Sequence, residues 1–200
     1  KALAKAGSAT SLHTWVGFTG ALQKFGNLSE ETLSLAEFNI EFANAYAEQN
    51  DRPVWIQEFG APVCWYKPDE AVRYVRETVL RAMRGRNLWG FTWWCSHDIE
   101  RTLDCFDPLE YDLGLIGTDN RVKPLGKVFS ELVSEIRSAR SVAPSGGGRT
   151  ILIGENEKGM DCLAAYGKLL RRGEYACFAL QEKEEELRAG GAETVRLRDV

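Results

Sequence analysis

Glu58 closes an apolar stretch, Pro53-Val54-Trp55-Ile56-Gln57-Glu58-Phe59-Gly60, that reads as a short strand turning on a glycine. Strict alternation places Val54, Ile56 and Glu58 on one face and Trp55 and Gln57 on the other. A carboxylate sharing a face with Val and Ile needs a partner to hold it there. At the C-terminal end of a parallel strand, beside a loop, such a group is placed to act as a nucleophile or base. The structural alternative is a strand-end cap or salt bridge. Two other segments end in similar groups: Ser11-Leu12-His13-Thr14-Trp15, and Trp93-Trp94-Cys95-Ser96-His97-Asp98. Histidine can orient or shuttle a proton, and an indole offers a flat apolar face with one N–H donor.

The elements that must position these groups alternate. After the strand ending near Trp15, a loop covers 16–27. A helix then starts at Ser29, a good N-cap, with Glu30 and Glu31 at its positive end and Leu28 and Leu33 spaced as a hydrophobic staple. Leu35, Phe38, Phe42 and Tyr46 continue at helical spacing to about Gln49. The strand ending in Glu58 follows. A second helix is predicted over 69–86, with Val72, Val75, Val79 and Met83 as its buried stripe. The third strand spans 88–94, a long loop 95–123, and a third helix 124–140 with proline at its start. In the third strand Gly90, Thr92 and Trp94 share one face, and Trp89, Phe91 and Trp93 the other. Small residues suit a tapering interior and bulky ones a helix-facing side, so Trp94 is predicted to line a site and Trp93 to sit in the core. The same alternation turns Ser11, His13 and Trp15 inward, and the three strand ends converge on one rim.

Composition bounds the rest. The 200 residues are 44% hydrophobic and 27% charged, with a net charge of −4, which describes a globular protein without a basic cluster for nucleic acid or an anionic membrane. The five cysteines include no C-x-x-C pair, so each reads as a small buried hydrophobe of a reducing compartment, favouring a cytoplasmic over a secreted location. Pairing of Cys95 with Cys105 would follow only on export. Asp104, Asp107, Glu110 and Asp112 lack the periodicity of a calcium loop and read as a solvated face, and no metal or cofactor is expected. Residues 138–149, SARSVAPSGGGR, read as a linker; their glycines precede a strand and no Gly-Lys-Ser/Thr follows, which excludes a phosphate loop. Beyond them, strands at 150–153, 175–180 and 194–197 alternate with helices at 161–172 and 182–189, the opening of a doubly wound domain. The chain starts at Lys1 and this pattern stops at Val200, so truncation at both ends is expected.

Taken together, residues 8–140 resemble the C-terminal part of a clan A glycoside hydrolase barrel of the cellulase and mannanase type, family 5. The residues that carry the resemblance are Gln57-Glu58-Phe59-Gly60, His13-x-Trp15 in place of the usual His-x-Tyr, Gly90-Phe91-Thr92-Trp93-Trp94, and Asp112-Leu113-Gly114-Leu115-Ile116 leading to Lys123-Pro124. The resemblance implies an α/β fold in three parts. Residues 1–140 would be about strands six to eight of a (β/α)8 TIM barrel that normally needs ~250 residues, 141–149 a linker, and 150–200 an incomplete Rossmann- or flavodoxin-like, amidotransferase-like domain.

The implied activity is retaining hydrolysis of O-glycosidic bonds in β-linked sugars, on an oligosaccharide, polysaccharide or glycoside. Glu58 would be the nucleophile. His13 would contact the reacting sugar or orient the catalytic pair, with Trp15 beside it, and Trp94 would stack on a sugar face. His97 and Asp98 would bond sugar hydroxyls, and Trp65 with Tyr66 would form a further stacking subsite. Asp98 could instead pair with Arg101. The family's acid/base glutamate follows an asparagine on an earlier strand. The Asn156-Glu157 pair lies in the wrong order and context, so that role falls outside the 200 residues, which alone are expected to be inactive. The alternative is a non-catalytic carbohydrate-binding or structural protein on a degenerate barrel.

Overall fold

The computed structural model describes residues 6–47, 51–139, 148–154 and 156–200; most of the expected linker lies outside them. The fold is α/β, with two three-stranded sheets in which every strand pairing is parallel. In the first sheet β1 (Thr10–Thr14), β2 (Val54–Phe59) and β3 (Leu88–Trp93) lie in chain order. The second has the order β5-β4-β6, from β4 (Arg149–Ile153), β5 (Ala176–Leu180) and β6 (Thr194–Arg196). Among the described residues no helix is long and apolar enough to cross a membrane.

The helices of the first sheet depart from expectation in two places. A short helix α1 (Ala21–Phe25) occupies part of the expected loop. The long helix from Ser29 is two helices, α2 (Glu30–Leu33) and α3 (Leu35–Tyr46). Ser29 does cap the first, accepting from Thr32 N at 3.2 Å. The break is at Ser34, whose hydroxyl donates to Glu30 O at 2.5 Å, a local bond by which serine competes with the helix ladder. α4 (Pro68–Ala82) and α5 (Pro124–Ser138) both begin on proline, where a missing N–H costs nothing. On α4 the buried face is Tyr74, Val75, Thr78, Val79 and Ala82, turned from the expected Val72–Met83 stripe because Tyr74 stacks on Tyr66 at 4.5 Å. Arg52 ties the start of β2 to β1, donating to Thr10 Oγ1 at 2.9 Å and to the carbonyls of Gly7 and Ala9 at 2.8 and 2.9 Å. Of the five cysteines, all unpaired, only Cys162 is buried; Cys64 and Cys105 are exposed on loops, against the expectation of burial.

α3 packs against both sheets. Phe38 meets Phe178 of β5 edge-on at 5.3 Å and Tyr166 of α6 (Gly159–Arg171) at 6.1 Å, and Phe42 meets Phe178 at 5.7 Å. The remaining helix is α7 (Glu184–Ala189). The same surface buries acids. Glu41 is fully buried, accepting from Arg86 N at 2.8 Å and from Arg86 Nε and the Tyr175 hydroxyl at 2.9 Å each. Glu31 pairs with Arg171 at 2.8 Å.

Glu37, also fully buried, is less completely matched. Arg84 Nη2 donates to its Oε2 at 2.9 Å, while Arg84 Nε lies 2.9 Å from Oε1 without forming a hydrogen bond. Burial therefore outweighs Arg84 and pushes the Glu37 carboxyl up from 4.5 to about 6. The folded state holds this proton more tightly than the unfolded chain. The resulting stabilisation is complete below about pH 4.5 and is lost as pH rises through 6. The difference corresponds to about 2 kcal/mol. In Glu37→Gln, the fall in unfolding free energy between about pH 3 and about pH 8 should shrink by that amount, as measured by urea unfolding at both; an unchanged fall would assign the proton elsewhere.

Candidate active site

The geometry around Glu58 turns on a β-bulge. Leu12 pairs with Ile56, but His13 pairs with Glu58, so Gln57 is an extra residue in β2. Val54, Ile56 and Phe59 are buried, whereas Trp55, Gln57 and Glu58 are only half-buried. Glu58 therefore does not share the face of Val54 and Ile56, as alternation predicts. The bulge rotates it onto the open face, beside Gln57 and opposite His13. A second bulge in β3 corrects the third strand: Val54 pairs with Leu88 and Trp55 with Gly90, so Trp89 is displaced. Trp89 is 72% exposed and stands against Trp55, ring to ring at 6.2 Å, instead of facing the helices.

On the open face the carboxylate is gripped from β1 and the turn after it. Trp15 Nε1 donates to Glu58 Oε2 at 3.1 Å, and His13 Nδ1 lies 3.1 Å from the same oxygen. The Glu58 side chain is 23% exposed and that of His13 52%, so the pair opens to solvent. Trp15 itself is 6% exposed; it serves as a buried donor to Glu58 and not as the open sugar contact predicted for it. Gly60 is required by this packing, since a Cβ there would stand 2.7 Å from the Trp15 ring and 3.0 Å from Trp94 O. Trp94 N donates to Phe59 O at 2.9 Å, which carries the β2–β3 pairing one residue past β3. That leaves the Trp94 indole 46% exposed at the strand ends, while Trp93 is buried and donates to Leu113 O at 2.9 Å.

The other expected site residues divide. Trp65 packs edge-on against Trp15 at 6.2 Å and Phe18 at 5.2 Å, in a notch that only a glycine at 17 leaves open. It belongs to the rim, and Phe18, 69% exposed, joins it although sequence reasoning passed over that residue. Its signal was an apolar ring in the loop just after His13-x-Trp15. Tyr66 is buried in the core and forms no subsite. His97 is exposed, its Nδ1 3.2 Å from Ser96 Oγ. Asp98 is engaged in holding its own loop: Lys123 Nζ reaches both oxygens at 2.8 and 3.0 Å, and Gly114 N donates to Oδ1 at 2.8 Å. Its expected sugar contact gives way to that structural one, and Arg101 pairs with Asp112 at 2.7 Å instead. Gln57 was overlooked as a site residue: the end of its side chain placed as Oε1 lies 3.3 Å from His13 Nε2 and in short contact with Ser11 Oγ.

A scan against protein-family models found no match, and neither did a search of curated proteins. Solved structures do match. A GH5_18 enzyme from Streptomyces cattleya, crystallised with GlcNAc, is 32% identical with a TM-score of 0.88, the match covering 98% of this chain and 50% of that one. Its glutamate-to-alanine variant in complex with Manβ1-4GlcNAc matches at the same identity and TM-score, over 98% and 51% of the two chains. A GH5_18 structure from Bifidobacterium longum subsp. longum is 33% identical with a TM-score of 0.86, over 98% and 50%. The chain thus spans about half the length of these relatives. Together the likenesses support a relationship of this chain to the GH5 glycoside hydrolases.

Proposed function

We propose that this chain supplies the nucleophile side of a retaining β-glycosidase site, with Glu58 as the nucleophile. The observation that carries this reading is the grip on Glu58: two donors, from His13 and Trp15, converge on one carboxylate oxygen at the C-terminal end of a parallel strand. They fix its direction, and because both meet Oε2, Oε1 is left to attack. In the first step Oε1 bonds to the anomeric carbon as the glycosidic C–O bond breaks, and the departing oxygen takes a proton from the acid/base carboxyl. Water then attacks the glycosyl ester, returning a proton to that carboxyl and freeing Glu58. The acid/base residue belongs to sequence outside these 200 residues.

In the same reading β1 to β3 are consecutive strands of a (β/α)8 barrel, and 150–200 opens a second α/β domain. Trp94 offers its exposed indole to a sugar face. The disaccharide held by the Streptomyces cattleya variant suggests the substrate class, a β-linked mannosyl-GlcNAc unit. Treating the complete gene product with a 2-fluoro-glycoside inactivator should leave a covalent glycosyl ester on the peptide carrying Glu58, identified by mass spectrometry. A label on any other residue, or steady turnover of aryl β-glycosides with no label trapped, would remove Glu58 from this role.

A further inference from the structure

The β2 bulge brings a second polar side chain to His13, and for the neutral ring the hydrogen-bond inventory closes in one way. Glu58 Oε2, 3.1 Å from His13 Nδ1, can only accept when ionised, so in the neutral ring Nδ1 carries the hydrogen. Nε2 is then a bare acceptor, and the atom facing it at 3.3 Å is Gln57 Oε1, itself an acceptor. That same end of the carboxamide meets Ser11 Oγ. Two acceptors cannot satisfy each other, and the two ends of a carboxamide exchange by a half-turn of its last torsion. With the NH2 group at this end, one hydrogen goes to His13 Nε2 and the other to Ser11 Oγ, and every partner is matched.

We propose that Gln57 is a positioning residue that donates to His13 Nε2 and thereby fixes the ring as the Nδ1–H tautomer, aimed at Glu58. This deepens the glycosidase reading and rests on it for its purpose, though not for its test. The bulge is what makes it possible. Without the extra residue, Gln57 and Glu58 would fall on opposite faces and could not address the two nitrogens of one ring. Free histidine favours the opposite, Nε2–H tautomer, so the surroundings must supply the bias. An ion pair with Glu58 alone would leave the second nitrogen undefined.

The test uses the 200-residue chain, nitrogen-15 labelled, with the pH raised until the ring nitrogen signals stop changing. Long-range proton–nitrogen correlations report which ring nitrogen is protonated. The chain has two histidines, His13 and His97, and His97→Asn identifies the signals of the other. His13 should appear as the Nδ1–H form. In Gln57→Glu, whose carboxylate can only accept, Nε2 should gain a proton; in Gln57→Leu the Nδ1–H form should lose its predominance. The backbone amide spectrum shows that each variant is folded, and if one is not, the other decides. An Nε2–H ring in the parent, or a ring unchanged in a folded Gln57 variant, would overturn the proposal. An inactivator label away from Glu58 would sink the nucleophile reading and leave the tautomer result standing.

Discussion

Glu58→Ala in the turnover-competent protein lowers β-glycoside hydrolysis by several orders of magnitude and leaves the fold in place. Loss of activity is expected because the first bond made in a retaining reaction is to this carboxylate, and no side chain around it can replace it: His13 and Trp15 present donors, not nucleophiles. Survival of the fold is expected because the side chain faces the open side of the sheet. Its removal leaves two donors unmatched near solvent, a cost of about 1–3 kcal/mol at most. Glu58→Gln, which keeps the shape and an acceptor oxygen, should be as inactive and more stable. The alanine variant also carries a stereochemical signature. Azide should enter the vacated space, attack the anomeric carbon from the nucleophile's side and restore release of an activated leaving group, giving the α-glycosyl azide. A β-azide product would place Glu58 in the acid/base role, and undiminished hydrolysis would exclude it from both.

How much of this was legible in the sequence depends on whether a feature was local. The order of strands and helices was, since alternation, helical spacing, N-cap serine and N1 prolines act within a few residues. So was the gathering of His13, Trp15, Glu58 and Trp94 at the strand ends. The faces were not. Alternation put Glu58 with Val54 and Ile56, and a bulge, which depends on the partner strand's register, turned it to the other side. Glu58 was thus singled out through a face assignment that the bulge overturns. Trp89 was misplaced by the same mechanism. The roles of Asp98 and Lys123 needed a contact across 25 residues of loop, and the burial of Glu37 and Glu41 needed a second sheet that begins about 110 residues later. Acidic residues at helical spacing ordinarily mark the solvent side; here each found an arginine partner in the turn between α4 and β3.

That interface predicts the largest effect on stability, from Phe38→Ala. Phe38 is 4% exposed and its ring touches Phe42 at 5.2 Å on its own helix, Tyr166 on α6 and Phe178 on β5. Truncating a buried phenylalanine costs about 3–5 kcal/mol, and the upper half of that range applies where the surroundings cannot collapse. Here they are held apart by two sheets and by the paired acids beside them, Glu41 with Tyr175 and Glu31 with Arg171. The apolar cluster is continuous from Ile56 and Phe59 in the first sheet, through Phe38, to Phe178 and Ile151 in the second. One cooperative thermal transition is therefore expected for the parent chain. Phe38→Ala should lower its midpoint and separate it into two, because it removes a ring by which α3, the helix packed against both sheets, holds the second. Calorimetry distinguishes the outcomes. Two transitions already present in the parent, with Phe38→Ala moving only the one belonging to residues 6–139, would mean that the second sheet folds independently and merely rests against α3.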